Sequence, residues 1–157
     1  MSSVLVVIPT YNESESIKSL LTRLDASRKV ISNSFVIDIL LVDDSSPDKT
    51  AQIASAMNLS NFSVLNRSQK SGLGPAYLAG FKQGLIGDYQ YFVEMDADLS
   101  HQPEQLVDLL KAASANSTWS LPSKPFTSFA AISSDSIFCN DGFKSLKTCS
   151  AVSFCLA

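Results

Sequence analysis

The chain has 157 residues, of which 45% are hydrophobic and 17% charged, with a formal net charge of −3. That length suits one domain with an apolar core, and a slightly acidic chain without a basic stripe argues against nucleic acid as a partner. No eighteen apolar residues run together, so no bilayer-spanning helix is expected, and the short run behind Met1-Ser2-Ser3 is not a secretory signal pattern; a cytosolic chain is expected.

Val4 to Ile8 is a continuous apolar run ended by Pro9, as in a strand buried on both faces. Asn12 reads as a helix cap with Glu15 three residues on, and Ile17, Leu20, Leu21 and Leu24 follow at helical spacing. Ile37 to Val42 predicts a second strand. Ser46-Pro47 reads as the cap and first residue of a second helix, with Ile53, Ala54 and Met57 inward. Phe62 to Leu65 predicts a third strand, Gly74 to about Gly84 a third helix, and Tyr91 to Met95 a fourth strand. Pro103 opens a fourth helix whose apolar side is Leu106, Val107, Leu109 and Leu110. Four strand–helix repeats imply an α/β fold, with a mostly parallel sheet covered by helices on both faces. Ligands of such sheets bind outside the carboxyl ends of the strands.

The chain divides near Asn116. Residues 1–115 carry the α/β pattern. Residues 116–157 hold ten serines, five charged residues, Pro122 and Pro125, with no sustained period, and a poorly ordered tail is expected there. All three cysteines, Cys139, Cys149 and Cys155, fall in that tail at spacings that match no zinc pattern.

Polar clusters follow the predicted strands. In Pro9-Thr10-Tyr11-Asn12-Glu13, backbone N–H groups at a helix start favour an anion, Tyr11 can lie against a nucleobase, and Glu13 can accept hydrogen bonds from base or ribose. Strand ending, capping and helix-dipole complementation would account for the same residues. Asp43 and Asp44 are adjacent carboxylates that repel unless a ligand or cation takes up their charge. Lys70-Ser71-Gly72-Leu73-Gly74 opens a glycine-rich turn whose amides, with the Lys70 charge, can approach a phosphate. It is not a dinucleotide fingerprint, because Tyr77 stands at the third glycine position; Gly80 allows close packing. In Glu94-Met95-Asp96-Ala97-Asp98, the alternation of an extended chain aims Asp96 and Asp98 at one spot. Two hard oxygen ligands can hold a divalent ion and leave room for water and phosphates. His101, the only histidine, is a further ligand, a group that supports the ligands or a surface residue.

In this order the four clusters resemble family 2 glycosyltransferases of the GT-A fold. Val-Val-Ile-Pro-Thr-Tyr-Asn-Glu is similar to the family's opening signature, and Leu-Val-Asp-Asp-Ser-Ser-Pro-Asp-Lys-Thr to its second. Gly-Leu-Gly-x-Ala with Gly80-Phe81, and Glu-Met-Asp-Ala-Asp-Leu-Ser-His before Pro103-Glu104, look like the polyprenol-phosphate mannose synthase subgroup. The resemblance covers residues 4 to about 115. It implies that Pro9, Tyr11 and Glu13 line the nucleotide pocket and that Asp44 contacts base or ribose. It implies that Asp96 and Asp98 hold Mg2+ or Mn2+ against the donor diphosphate. Some relatives add a Gln ligand two residues past the second Asp; here that position is Ser100. The implied reaction transfers mannose from GDP-mannose to a polyprenyl (dolichyl) phosphate with inversion, at the cytoplasmic face of a membrane. The acceptor phosphate is already an anion, so no strong general base is needed.

Relatives continue past the fourth helix with a strand like Asp-Leu-Val-Ile-Gly-Ser-Arg. Here Ser117-Thr118-Trp119-Ser120-Leu121 stands instead, and codons permitted for these residues read Asp-Leu-Val-Ile one base out of phase. The expectation is a shifted reading frame, an absent acceptor half and a chain without transfer activity; reading the gene in three frames tests it. Two alternatives are a nucleotide-binding remnant without turnover and, on the Asp-x-Asp alone, a haloacid-dehalogenase-like phosphatase with Asp96 as nucleophile.

Overall fold

The computed structural model describes residues 1–115 and 130–133. In chain order these form β1 (Ser2–Thr10), α1 (Ile17–Val30), β2 (Phe35–Asp43), α2 (Thr50–Ser55), β3 (Phe62–Asn66), α3 (Leu73–Gly84), β4 (Tyr91–Glu94), α4 (Gln105–Ala115) and β5 (Ala130–Ser133). The sheet runs β3-β2-β1-β4-β5. The pairs β1–β2, β1–β4 and β2–β3 are parallel, and β5 lies antiparallel to β4. The expected α/β architecture is therefore present. Of the serine-rich segment expected to be poorly ordered, Ala130–Ser133 form β5; the rest, with its three cysteines, lies outside the described residues.

The apolar runs are continuous because both faces of the central strands are covered. Side chains alternate along β1, so Val4, Val6 and Ile8 enter one core and Leu5 and Val7 the other. On β2, Ile37, Ile39 and Leu41 join the first core, Leu40 and Val42 the second. The first core is closed by Leu20, Leu21 and Leu24 of α1 and Leu106, Leu109 and Leu110 of α4. The second is closed by Ala76, Tyr77 and Phe81 of α3. A Cβ on Gly80 would collide with the Val7 side chain and press on Val42, so glycine lets α3 settle close to β1 and β2.

Two capping assignments fail. Asn12 is not a helix cap; it adopts φ 60°, in the left-handed region that Asn tolerates, and α1 begins only at Ile17 after Ser16. Ser46-Pro47 does not start α2, which begins at Thr50 behind Lys49 in a left-handed conformation. A tertiary contact stands in place of capping: the Asn12 N–H donates to the Ser46 hydroxyl and ties the two loops together.

Candidate functional site

β1, β2 and β4 run parallel, so the segments that follow them all emerge at one edge of the sheet. Residues after β1, β2 and β4, with the α3 entrance, enclose one cleft of ≈ 310 Å³. It is lined by Pro9, Thr10, Tyr11 and Glu13, by Asp44, by Lys70, Gly72, Leu73 and Ala76, and by Asp96, Ala97 and Asp98. Of the residues singled out from the sequence, Pro9, Tyr11, Glu13, Asp44, Lys70, Asp96 and Asp98 thus meet in one place. Asp43 and Gly74 are not among the lining residues.

The loop after β1 is held by the loop after β2. The N–H of Asn12 donates to Ser46 Oγ at 3.1 Å, that of Glu13 to Thr50 Oγ1 at 2.9 Å, and that of Ser14 to Asp48 Oδ2 at 2.9 Å. Asp48 Oδ1 also accepts from the Thr50 N–H and hydroxyl. The three N–H groups expected to favour an anion therefore already have protein acceptors. The second motif's polar residues shape the first motif's loop.

Asp43 and Asp44 share a strand end but face different tasks. Asp43 is 3% exposed. Its carboxylate accepts from the Ser46 N–H at 2.9 Å, the Ser46 hydroxyl at 2.6 Å and the Thr10 hydroxyl at 3.1 Å. Those bonds answer its charge from within the protein, and Asp43 does not line the cleft. Asp44 accepts from Arg67 Nη1 at 2.8 Å and from the Ser71 N–H at 3.0 Å. The Arg67 ion pair lets two adjacent carboxylates coexist, and the Ser71 bond ties the glycine-rich turn to β2. Arg67 lies outside the four sequence clusters. Its signal is its position directly after β3, where the carboxyl-end rule applies.

Gly72 enters α3 with φ 95°, a conformation that favours glycine, and places Lys70 beside the opening loop. Lys70 Nζ sits 3.9 Å from the Tyr11 ring centroid, so its charge covers an aromatic face.

Asp96 and Asp98 lie beyond the end of β4, in a turn in which Leu99 has φ 66°. They line the same cleft, although by way of this turn and not by the alternation of an extended strand. Asp96 Oδ1 accepts from the Tyr77 hydroxyl at 2.9 Å. The Asp96 N–H donates to His101 Nδ1 at 2.9 Å, and His101 Nε2 lies 3.6 Å from Asp96 Oδ2. His101, 4% exposed, therefore braces the turn from inside. Asp98 Oδ1 accepts from the Ser100 N–H at 2.9 Å. Donors on Ser100, side chain first, hold the Asp98 carboxyl below its ordinary value, so it is ionised near neutrality. Burial, then the Asp96 charge, pushes the Glu94 carboxyl up. Burial, then the same charge, raises the Tyr77 phenol, which remains a donor.

The donor set suits a hard divalent ion: two carboxylates in one cleft, one of them exposed. Among the described residues no group of three or more His, Cys, Asp or Glu is gathered for a metal.

Comparison with known proteins gives the family and the fold. A 51% identity over 111 residues links the chain to an undecaprenyl-phosphate mannosyltransferase of Micrococcus luteus, covering 69% of this chain and 43% of that one. Polyprenol monophosphomannose synthase of Mycolicibacterium smegmatis is 42% identical over 123 residues, 76% of this chain and 44% of the other. The chain spans less than half the length of these curated relatives. Among solved structures, S. aureus TarS (residues 1–349) matches with a TM-score of 0.59 at 26% identity, over 73% of this chain and 33% of that one. A Pyrobaculum calidifontis mannosyltransferase solved with GDP-Man and Mn2+ matches with a TM-score of 0.57 at 20% identity, over 69% of this chain and 31% of that one. The latter likeness speaks to the fold, which is GT-A. Residues 5–125 match the glycosyl transferase family 2 description, a span that runs from the first buried strand through every cleft-lining loop, and the chain belongs to that family.

Proposed function

We propose that the cleft binds GDP-mannose and that the reaction it serves is transfer of mannose to a polyprenyl phosphate, with inversion at the sugar carbon. The observation that carries this reading is the convergence of Tyr11, Glu13, Asp44, Lys70, Asp96 and Asp98 on one cleft at the strands' carboxyl ends. Tyr11 offers a ring to the base. Glu13 and Asp44 offer carboxylates to base or ribose, and Lys70 brings positive charge to the phosphate side. Asp96 and Asp98 would hold Mg2+ or Mn2+, which supplies charge neutralisation for a departing diphosphate. The acceptor phosphate attacks as an anion, so the protein's own part is orientation and exclusion of competing water.

Support for mannose and a polyprenyl phosphate comes from the names of the relatives at 51% and 42% identity. We place the acceptor step at the cytoplasmic face of a membrane; among the described residues no helix is long and apolar enough to cross one. Family membership leaves the phosphatase alternative without support.

Two assays separate the parts of this reading. Competition of GDP, UDP, GDP-mannose and GDP-glucose for the cleft tests the donor. Radiolabel transfer from GDP-mannose to a short polyprenyl phosphate tests turnover. Preference for GDP with label in the lipid establishes the enzyme. GDP preference without label identifies a nucleotide-binding remnant, and no nucleotide preference removes the donor assignment.

A further inference from the structure

Tyr77 is the one aromatic hydroxyl on α3 and sits where the second core meets the cleft. It is 8% exposed. Its ring stacks on Phe81 at 6.0 Å and 24°, and Phe81 meets Phe92 edge-on at 5.8 Å and 89°. This packing fixes the ring, and a phenylalanine would satisfy it equally. The hydroxyl therefore needs a separate reason, and it donates to Asp96 Oδ1 at 2.9 Å.

We propose that Tyr77 is a positioning residue for Asp96, fixing the carboxylate in the orientation that receives the divalent ion of the donor complex. This rests on the reading that Asp96 and Asp98 hold that ion. The Asp96 side chain is 33% exposed, so without a brace it would be free to turn. Its backbone is braced by His101, which accepts the Asp96 N–H. Its carboxylate is braced by Tyr77 from α3, on the opposite sheet face from the α4 that follows His101. The bond engages Oδ1, while Oδ2, with His101 Nε2 at 3.6 Å, keeps lone pairs for an ion. Asp98 has the equivalent brace from its own turn, through the Ser100 N–H. Both carboxylates are thus oriented before an ion arrives, by groups that do not themselves bind it. Partners of this kind set ligand geometry, and their loss typically costs metal affinity about 10-fold or more. The same contact gives the tyrosine at the third glycine position a use: its hydroxyl reaches across to Asp96.

The test is Mn2+ affinity of the full chain with GDP present, read from the free-ion electron paramagnetic resonance signal. Native chain, Tyr77→Phe and Asp96→Asn are compared at a temperature where circular dichroism shows all three folded. The expected result is a loss of about 10-fold in Mn2+ affinity for Tyr77→Phe, with a melting temperature lowered by only a few degrees and unmoved metal-free GDP binding. Asp96→Asn should lose the site altogether. Native-like Mn2+ affinity in Tyr77→Phe, beside a lost site in Asp96→Asn, would overturn the positioning role while leaving the ion assignment intact. No Mn2+ binding by the native chain would overturn both.

Discussion

Replacing Asp43 with alanine should cost more stability than an acidic residue at a strand end ordinarily does. The carboxylate accepts three hydrogen bonds, from the Ser46 N–H, the Ser46 hydroxyl and the Thr10 hydroxyl. Ser46 Oγ in turn accepts the Asn12 N–H, so the β1 loop depends on the same carboxylate at one remove. A hydrogen bond to a charged group contributes roughly 1.5–3 kcal/mol. Ser46 is only half-buried, so water replaces part of that loss, and about 3 kcal/mol is the reasonable total for Asp43→Ala. At about 2–4 °C per kcal/mol for a chain of this size, the melting temperature falls by roughly 6–12 °C. Asp43→Asn should lose about half as much. The amide can turn its nitrogen toward the two hydroxyls, which can rotate to accept, and keep its oxygen for the Ser46 N–H. Thermal melts by circular dichroism, with urea midpoints as a check, read both variants. A fall of under about 2 °C for Asp43→Ala would refute the view that this carboxylate organises the two loops.

Gly80→Ala should destabilise by about 1–2 kcal/mol, because overpacking against Val7 and Val42 (roughly 1–3 kcal/mol) outweighs a helix-propensity gain of up to about 1 kcal/mol; a urea midpoint at or above native would contradict it. Tyr11→Ala should weaken GDP binding by about 1–3 kcal/mol, the usual worth of a base on an aromatic ring, and Tyr11→Phe should not; equal dissociation constants for the two variants would remove the stacking role. Lys29, then Arg28, holds the Asp25 carboxyl below its ordinary value of 3.8. Because the folded value is the lower one, this stabilisation is complete above pH 3.8 and is lost as pH falls through the folded value. Asp25→Asn should therefore lose stability less steeply on acidification, and parallel melting-temperature curves would contradict this.

Much of the fold could be read from period and punctuation. Val4 to Ile8 and Ile37 to Val42 are apolar at every position but Asp38, because α1 and α4 cover one side of the sheet and α3 the other. The helical spacing of Ile17, Leu20, Leu21 and Leu24 reports the same burial from the helix side. The rule that ligands gather at the carboxyl ends of parallel strands points to Tyr11, Asp44 and Asp96, and the three line one cleft. What escaped was the use to which polar side chains are put. Ser46 has cap-forming chemistry, but its hydroxyl is claimed by the Asn12 N–H and by Asp43, and Asn12 enters that contact through its backbone. Asp43 and Asp44 look equivalent in sequence, and the pleat sends one into the loop staple and the other to the cleft and Arg67. Tyr77 carries no local signal, because its hydroxyl answers a carboxylate nineteen residues on, across the sheet edge.

The proposed function requires that Asp96 and Asp98 couple a divalent ion to a nucleoside diphosphate. Calorimetric titration of GDP into the chain, with Mn2+ and then with a chelator, asks this directly. Binding should be at least about 10-fold tighter with the ion, and that gain should vanish in both Asp96→Asn and Asp98→Asn. The same GDP affinity with chelator as with Mn2+, or a gain that survives both substitutions, would contradict it.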